Sequence, residues 1–362
     1  MSAKKALLAA LSAVVALVAL AIVIPIDTPG LGREVEKNFR SATGISLVVP
    51  RSRFRLLEGL VLEESSASGN FVSGSYRVHV PRMVLEHRPL ALLRGRLELT
   101  GIRLGRPTVE LYLARRSGDP VTARNAAFLQ TVDASEPWLE VDVALEKIRI
   151  EEGEFVVRDR VSIQGLELTL TNVAYDRRAL TPLHALRSKG DVAIREMVLE
   201  SSKLRDVVAN IATEGGRLRL EGLRVGSERG ELSGDLILDF NSFPFRYRAS
   251  LLGRSFEVEG VGRGTLRLEA EGFGTQARNL EGKGVFELER GRLPDAPWIR
   301  EIDPSLAGVE HASAEIPFEL RNERVYLQRF ELEAAGRVLE LEGSIGFDGS
   351  RDFRPSVRRR RD

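Results

Sequence analysis

The chain has 362 residues, with 53 Lys or Arg against 52 Asp or Glu, so its formal net charge is +1. This balance excludes a general electrostatic attraction to nucleic acid, because nonspecific duplex binding needs a concentrated excess of cations. Hydrophobic residues make up 43% of the chain, which is enough for a folded core. The absence of Cys excludes disulfides and zinc-thiolate sites.

The N-terminal segment predicts a membrane-spanning helix over residues 6–26. These residues carry no charge, and a helix of this length crosses about 30 Å, the thickness of a bilayer's hydrocarbon core. The apolar stretch is longer than that of a cleaved signal peptide, the alternative, and no small-x-small cleavage site follows it. Lys4 and Lys5 precede the span, which predicts residues 1–5 in the cytoplasm and residues 27–347 as a periplasmic region.

Short helices are predicted at a few places after the span. The clearest is amphipathic and covers residues 32–43, with Gly44 as its C-terminal cap. The others are predicted at residues 89–93, 123–129, 181–186 and 298–306. They are too few to act as the crossover connections of a parallel sheet.

Most of the remaining chain alternates between apolar and charged residues with a period of two. Alternation places the apolar side chains of a strand on one face and the charged ones on the other. Glycine-containing sites between or next to these runs predict turns, so we expect a mainly β fold built as a meandering antiparallel sheet. The alternating runs cover residues 96–99, 147–150, 166–170, 217–221, 266–269, 286–289, 326–328 and 339–342. The predicted turns are Glu58-Gly59, Thr100-Gly101, Glu152-Gly153, Gly215-Gly216, Glu221-Gly222, Gly260, Gly272, Gly282, Arg290-Gly291 and Glu342-Gly343.

Four segments, in chain order, resemble the AsmA family of bacterial envelope proteins. They are VEKNFRSATGISLVV (35–49), RPLALLRGRLELTGIRLGRPTVEL (88–111), LEKIRIEEGEFVVRD (145–159) and the strand series within 262–346. Their order behind an N-terminal anchor carries the resemblance, which extends to about Phe347. It implies an inner-membrane anchor and an elongated, curved antiparallel sheet that forms an apolar groove in the periplasm.

The resemblance also implies a function, because larger AsmA relatives of the TamB and YhdP type are associated with phospholipid transport toward the outer membrane. We therefore expect a protein that binds or conducts phospholipid and supports outer-membrane biogenesis. The implied partners are phospholipid, the inner membrane, and outer-membrane or periplasmic envelope proteins, with no nucleic acid. The alternative is a scaffold or regulator of envelope protein assembly that carries no lipid.

An apolar sheet face has to be covered by a second layer, by closure of the sheet or by a ligand. An ordinary sandwich core is therefore the alternative to a lipid groove. The chain has only two Trp and few predicted helices to fill or cap a thick core, which favours the groove. The residues predicted to line it are Leu97, Leu99, Ile148, Ile150, Phe155, Leu168, Leu220, Leu238, Phe240, Leu268, Phe286, Leu288, Leu327 and Leu341.

The sequence predicts no catalytic residue, no metal site and no cofactor, so we expect a protein that is not an enzyme. The acidic residues 151, 152 and 154 lack the spacing of a calcium loop and are typical of a solvated strand end. At the C-terminus, residues 348–362 are predicted to be a disordered Arg-rich tail. Its four consecutive arginines, 358–361, either contact anionic headgroups or are simply solvated.

Overall fold

A computed structural model gives the fold of the chain. It describes residues 26–43, 45–71, 74–92, 98–113, 143–158, 161–176, 178, 182–199, 202–242, 244–258, 262–274, 276–293, 300, 304–334 and 336–359. Residues 6–25 of the predicted span lie outside the described residues, as do the helix predicted at 123–129 and Leu97. In the ranges given, no helix has both the length and the apolar character needed to cross a bilayer.

The prediction of a mainly β fold is confirmed. The described strands form one large, largely antiparallel sheet, and helices are few. The chain divides into two compact units, one with residues 1–115 and 135–190 and the other with residues 116–134 and 191–362. The boundary after residue 190 falls within strand β10.

The first unit begins with a helix and then forms a sheet. Helices predicted at 32–43, 89–93 and 181–186 are confirmed as α1, α2 and α3. Strand β8 runs parallel to β6 and to β7. The other neighbouring strands described here, such as β4 and β5 or β8 and β9, pair antiparallel. The elements are β1 (Ile26–Asp27), α1 (Pro29–Thr43), β2 (Leu47–Val48), β3 (Arg51–Arg55), β4 (Gly59–Phe71), β5 (Gly74–His87), α2 (Pro89–Leu92), β6 (Leu99–Gly105), β7 (Thr108–Leu113), β8 (Val143–Val157), β9 (Val161–Tyr175), α3 (Pro182–Ala185) and the start of β10 (Leu186–Leu199).

The second unit is a meander in which each strand from β11 to β16 pairs with the next. Strand β16 then pairs with β19, and β19 to β22 again pair in chain order. A 3₁₀ turn at Pro304–Leu306 falls within the helix predicted at 298–306. The strands are β11 (Ser202–Glu214), β12 (Arg217–Ser227), β13 (Gly230–Asp239), β14 (Arg246–Val258), β15 (Gly262–Phe273), β16 (Leu280–Leu288), β17 (Gly291–Arg292), β18 (Glu310–His311), β19 (Ala314–Arg321), β20 (Arg324–Ala334), β21 (Arg337–Gly346) and β22 (Arg351–Arg359).

Several glycines that predicted turns instead lie inside strands. The turns predicted at Glu152-Gly153 and Glu221-Gly222 are wrong, because β8 and β12 continue through both sites as bulged strands. A bulge adds one residue and bends the strand without ending it. Neighbouring strands supply a carboxylate to the bulge: the N–H of Glu152 donates to Glu167 Oε1 at 2.9 Å, and that of Gly222 to Asp235 Oδ1 at 2.8 Å. Turns predicted at Thr100-Gly101, Gly272, Gly282 and Glu342-Gly343 also fall within strands.

The C-terminal segment corrects a second prediction. Arg351–Arg359 forms β22, so the prediction of a disordered tail from residue 348 is wrong for these residues. Phe353, Pro355 and Val357 lie opposite Gly343, Leu341 and Leu339 of β21. The segment thus keeps the period of two, with the polar residues Asp352, Arg354, Ser356 and Arg358 at the alternate positions. Its high arginine content hid this pattern in the sequence.

Candidate functional site

Strands β11–β15 carry an apolar face whose members are brought together by the register of the sheet. Leu218 lies opposite Leu238, and Leu220 lies opposite Leu236, across β12 and β13. The same face continues through β14 and β15, where Leu251 lies opposite Leu268. We call this surface the leucine face and define it as Leu218, Leu220, Leu223, Leu232, Leu236, Leu238, Leu251, Leu266 and Leu268.

The side chains of the leucine face are all partly exposed to solvent. Among the described residues, the extensive backbone contacts of β11–β14 are with their neighbouring strands in the sheet. Exposed contiguous apolar surface is unusual in a soluble monomer and marks a site of interaction. The leucine face is therefore the strongest candidate for a ligand-binding surface in the described chain.

Aromatic side chains lie at one end of the leucine face. The ring centroids of Phe240 and Phe245 are 5.4 Å apart, and those of Phe245 and Tyr247 are 6.3 Å apart. Tyr247 lies opposite Leu238 on one side and Gly272 on the other, so it belongs to the same face. Burial raises the pKa of the Tyr247 hydroxyl, which remains protonated and polar at the edge of an apolar surface.

The same face of the sheet is closed in β16 and β19–β21. A cluster of buried side chains fills this face, and its members include Phe286, Phe318, Phe330 and Leu339. We call it the closed cluster. Leu293 and Leu306, from the connection between β17 and β18, are buried in the same cluster and cover it. The backbone N–H of Leu293 donates to the carbonyl oxygen of Val309 at 2.9 Å, which fixes the two ends of this connection together.

The predicted lining residues of the second unit therefore fall into two groups. Leu220, Leu238 and Leu268 belong to the leucine face, where Leu268 also packs against the closed cluster of β16 and β19–β21. Phe240 joins the aromatic group at the end of the leucine face. By contrast, the structure places three predicted lining residues in the closed cluster and packs a fourth against it. These are Phe286, Leu288 and Leu341, which are buried, and Leu327, which is partly buried. The three buried residues have the protein's own side chains as neighbours and form core, not an accessible lining. Leu327, like Leu268, stays partly exposed beside that core.

In the first unit, four predicted lining residues share one face. Ile150 lies opposite Leu168, Ile148 lies opposite Leu170, and the bulge at Glu152 keeps Phe155 on the same side. All four are partly exposed. Leu99 lies opposite His87 at the start of β6 and is 46% exposed.

Some residues of the leucine face were absent from the sequence prediction. Leu236 and Leu251 interrupt simple alternation, since Ile237 and Leu252 follow them directly and place apolar side chains on the other face as well. Extending the period of two from Leu220 and Leu268 through the paired strands would have identified both. Within the described ranges, no group of His, Asp and Glu could hold a metal ion.

Comparisons with known proteins give no further assignment. No family model matches the chain, and no curated protein or solved structure matches it either. The geometry of the leucine face and the resemblance in the sequence are therefore the two features that indicate a function.

Proposed function

We propose that this chain is an AsmA-like, non-enzymatic periplasmic protein that is anchored in the inner membrane by residues 6–26. It binds phospholipid acyl chains along an apolar groove lined by the leucine face and passes them on in support of outer-membrane biogenesis. The observation that carries this proposal is the leucine face, a contiguous set of partly exposed leucines on neighbouring strands. The AsmA-like segments and the apolar N-terminal stretch support the cellular location.

The leucine face suits acyl chains because hydrophobic attraction has no preferred direction. Burying a methylene group against it stabilises the bound chain by about 0.8 kcal/mol. Leucines recur on neighbouring strands, where successive positions are about 4.8 Å apart. Successive binding positions are therefore close in energy, and a lipid can shift from one strand to the next without a catalytic residue.

A photocrosslinking amino acid placed at Leu251 tests the proposal. Leu251 lies on the leucine face, whereas the next residue, Leu252, lies on the opposite face beside Ser233 and Arg267. We expect the full chain, irradiated in cells, to capture phospholipid through position 251 and not through position 252. Mass spectrometry of the purified adducts identifies the captured species.

A crosslinker at Leu339 provides a second control. This side chain is 1% exposed inside the closed cluster, so it should capture neither lipid nor protein. Equal lipid capture at positions 251 and 252, or none at 251, would contradict the proposal.

The closed cluster supports a second candidate function, because a region with a filled core needs no ligand. In this alternative the protein is a scaffold or regulator of envelope protein assembly. A crosslinker at the exposed residue Glu289 would then trap a specific envelope protein, while position 251 would trap no lipid.

A further inference from the structure

On the face opposite the leucine face, the ends of strands β12–β16 line an open surface cavity of about 510 Å³ that is rich in arginine. Two rows of paired residues line it. In the first row, Arg217, Asp239 and Arg246 lie side by side on β12, β13 and β14. In the second, Arg219 and Arg248 lie on either side of Ile237. Four guanidinium groups thus project from β12 and β14, the two strands that flank β13.

The acidic residues of the cavity already have partners or lie away from its centre. Asp239 accepts a hydrogen bond from Arg217 at 2.9 Å and further bonds from the backbone and side chain of Asn241. Glu271 pairs with Arg248 at 3.6 Å. The third acid, Glu281, is on β16, two strands away from Arg246.

Arg219 and Arg246 have no such partner. Within the part of the chain that the structure describes, neither guanidinium group makes an ion pair or a side-chain hydrogen bond. They lie on either side of β13, two strand spacings apart and offset by two residues along the strands, which separates their backbones by about 12 Å. Both side chains are exposed, so they are free to converge on one anion above Ile237 and Asp239.

The chemistry of the cavity favours a phosphate group. Arginine binds phosphate oxygens through paired, charge-assisted hydrogen bonds, and two arginines match its spread negative charge. Ile237 and Phe273, which are 36% and 46% exposed, add apolar surface to the same cavity. A ligand that joins a phosphate to an apolar group would contact both parts.

We propose that this cavity is a phosphate-binding site in which Arg219 and Arg246 hold the phosphate and Ile237 and Phe273 contact the apolar part of its carrier. The phosphate belongs to a phospholipid headgroup or to free phosphate. The lipid source rests on the proposed function, whereas the site itself depends only on the cavity and its arginines.

Isothermal titration calorimetry of the full chain tests the site with two probes, inorganic phosphate and a short-chain phosphatidylglycerol kept below its micelle concentration. The double variant Arg219→Gln/Arg246→Gln should lose about tenfold in affinity for each arginine removed. The matched control is Arg224→Gln/Arg263→Gln. It removes the same charge from two exposed positions outside the cavity, one on β12 and one on β15. Its affinity should equal that of the unmodified chain.

The two probes identify the source of the phosphate. Tighter binding of the lipid, by about tenfold or more, supports a headgroup ligand, while equal binding supports free phosphate at the same site. The site is overturned if the unmodified chain binds neither probe, or if the control variant loses as much affinity as Arg219→Gln/Arg246→Gln. The variant Leu251→Asp, which would disrupt acyl binding on the leucine face, should leave the inorganic phosphate titration unchanged. Failure of the lipid proposal is thereby distinguished from failure of this one.

Discussion

Strands β11–β15 and strands β16–β22 continue one sheet face with the same apolar alternation, yet the apolar side chains of the two regions differ in burial. In the first region the leucines are partly exposed, although Leu266 and Leu268, on the strand next to β16, also pack against the closed cluster. In the second, the corresponding positions are buried in a cluster that Leu293 and Leu306 complete. Alternation thus specifies which face is apolar, while the connections decide what covers it.

The connections of the two regions explain this difference. Strands β11, β12 and β13 are joined by the two-residue turns 215–216 and 228–229, which are too short to fold back over the sheet. The long connection 293–309 between β17 and β18 instead contributes buried leucines to the cluster. The closed region also presents Phe286, Phe318 and Phe330, whose rings fill more volume than leucine.

The largest effect should come from truncating matched leucines in the two regions. Leu339→Ala opens a cavity in the closed cluster and should lower the free energy of unfolding by about 2–5 kcal/mol. Leu251→Ala removes a side chain that is already partly exposed, so its cost should be about 1 kcal/mol or less. Urea denaturation of the full chain, followed by circular dichroism, measures both. Equal losses would mean that the leucine face is as well covered as the cluster.

A smaller effect is expected where the two regions meet, at Gly284. This residue lies between Leu268 of the leucine face and Phe318 of the cluster. A Cβ atom there would approach Cε1 of the Phe318 ring at 2.9 Å and would also press on the carbonyl oxygen of Arg267. Gly284→Ala should therefore destabilise the fold by about 1–3 kcal/mol through overpacking.

Gly105→Ala serves as the control for this substitution. Its new Cβ would meet its nearest neighbours, the carbonyl oxygen and Cβ of Arg82, at 3.6 and 3.7 Å, which is ordinary van der Waals contact. Its unfolding midpoint should stay close to that of the unmodified chain. A harmless Gly284→Ala would show that the boundary between the regions is loosely packed.

Local sequence pattern was sufficient to predict the strands and the apolar face. The runs around Leu220 and Leu268 lie in strands, on the side that the period of two assigned to them. The glycines of bulges were misread because Gly222 permits both a turn and a bulge, and the choice depends on the neighbouring strand that supplies Asp235. No local pattern contains that information.

The division of the apolar face into open and closed regions could not be predicted from the sequence, for a similar reason. Leu220 and Leu288 look alike in sequence, since each lies in a run that alternates apolar and charged residues. Only Leu288 is covered, partly by Leu293 and Leu306, which come from a connection without strand periodicity. Whether lipid occupies the open region stays a prediction.

The smallest effect concerns the pH dependence of the open region, through Asp239. Burial alone would raise the pKa of this carboxyl, but hydrogen bonds from Asn241 and Arg217 outweigh burial and lower the pKa overall. The carboxylate therefore stabilises the fold above its ordinary pKa of about 4, and this contribution is lost as the pH falls through the lowered value. Between neutral pH and about pH 5 it should stay constant.

Asp239→Asn removes this contribution and isolates it in a comparison of acid denaturation curves. The variant should be less stable than the unmodified chain near pH 7, and the two curves should converge as the solution is acidified below about pH 4. The difference should be modest, because the side chain is partly exposed and water screens its ion pair with Arg217. Curves that stay parallel down to acid pH would mean that Asn241 and Arg217 stabilise the two protonation states of Asp239 equally. The ends of β12 and β13 would then be held mainly by backbone pairing.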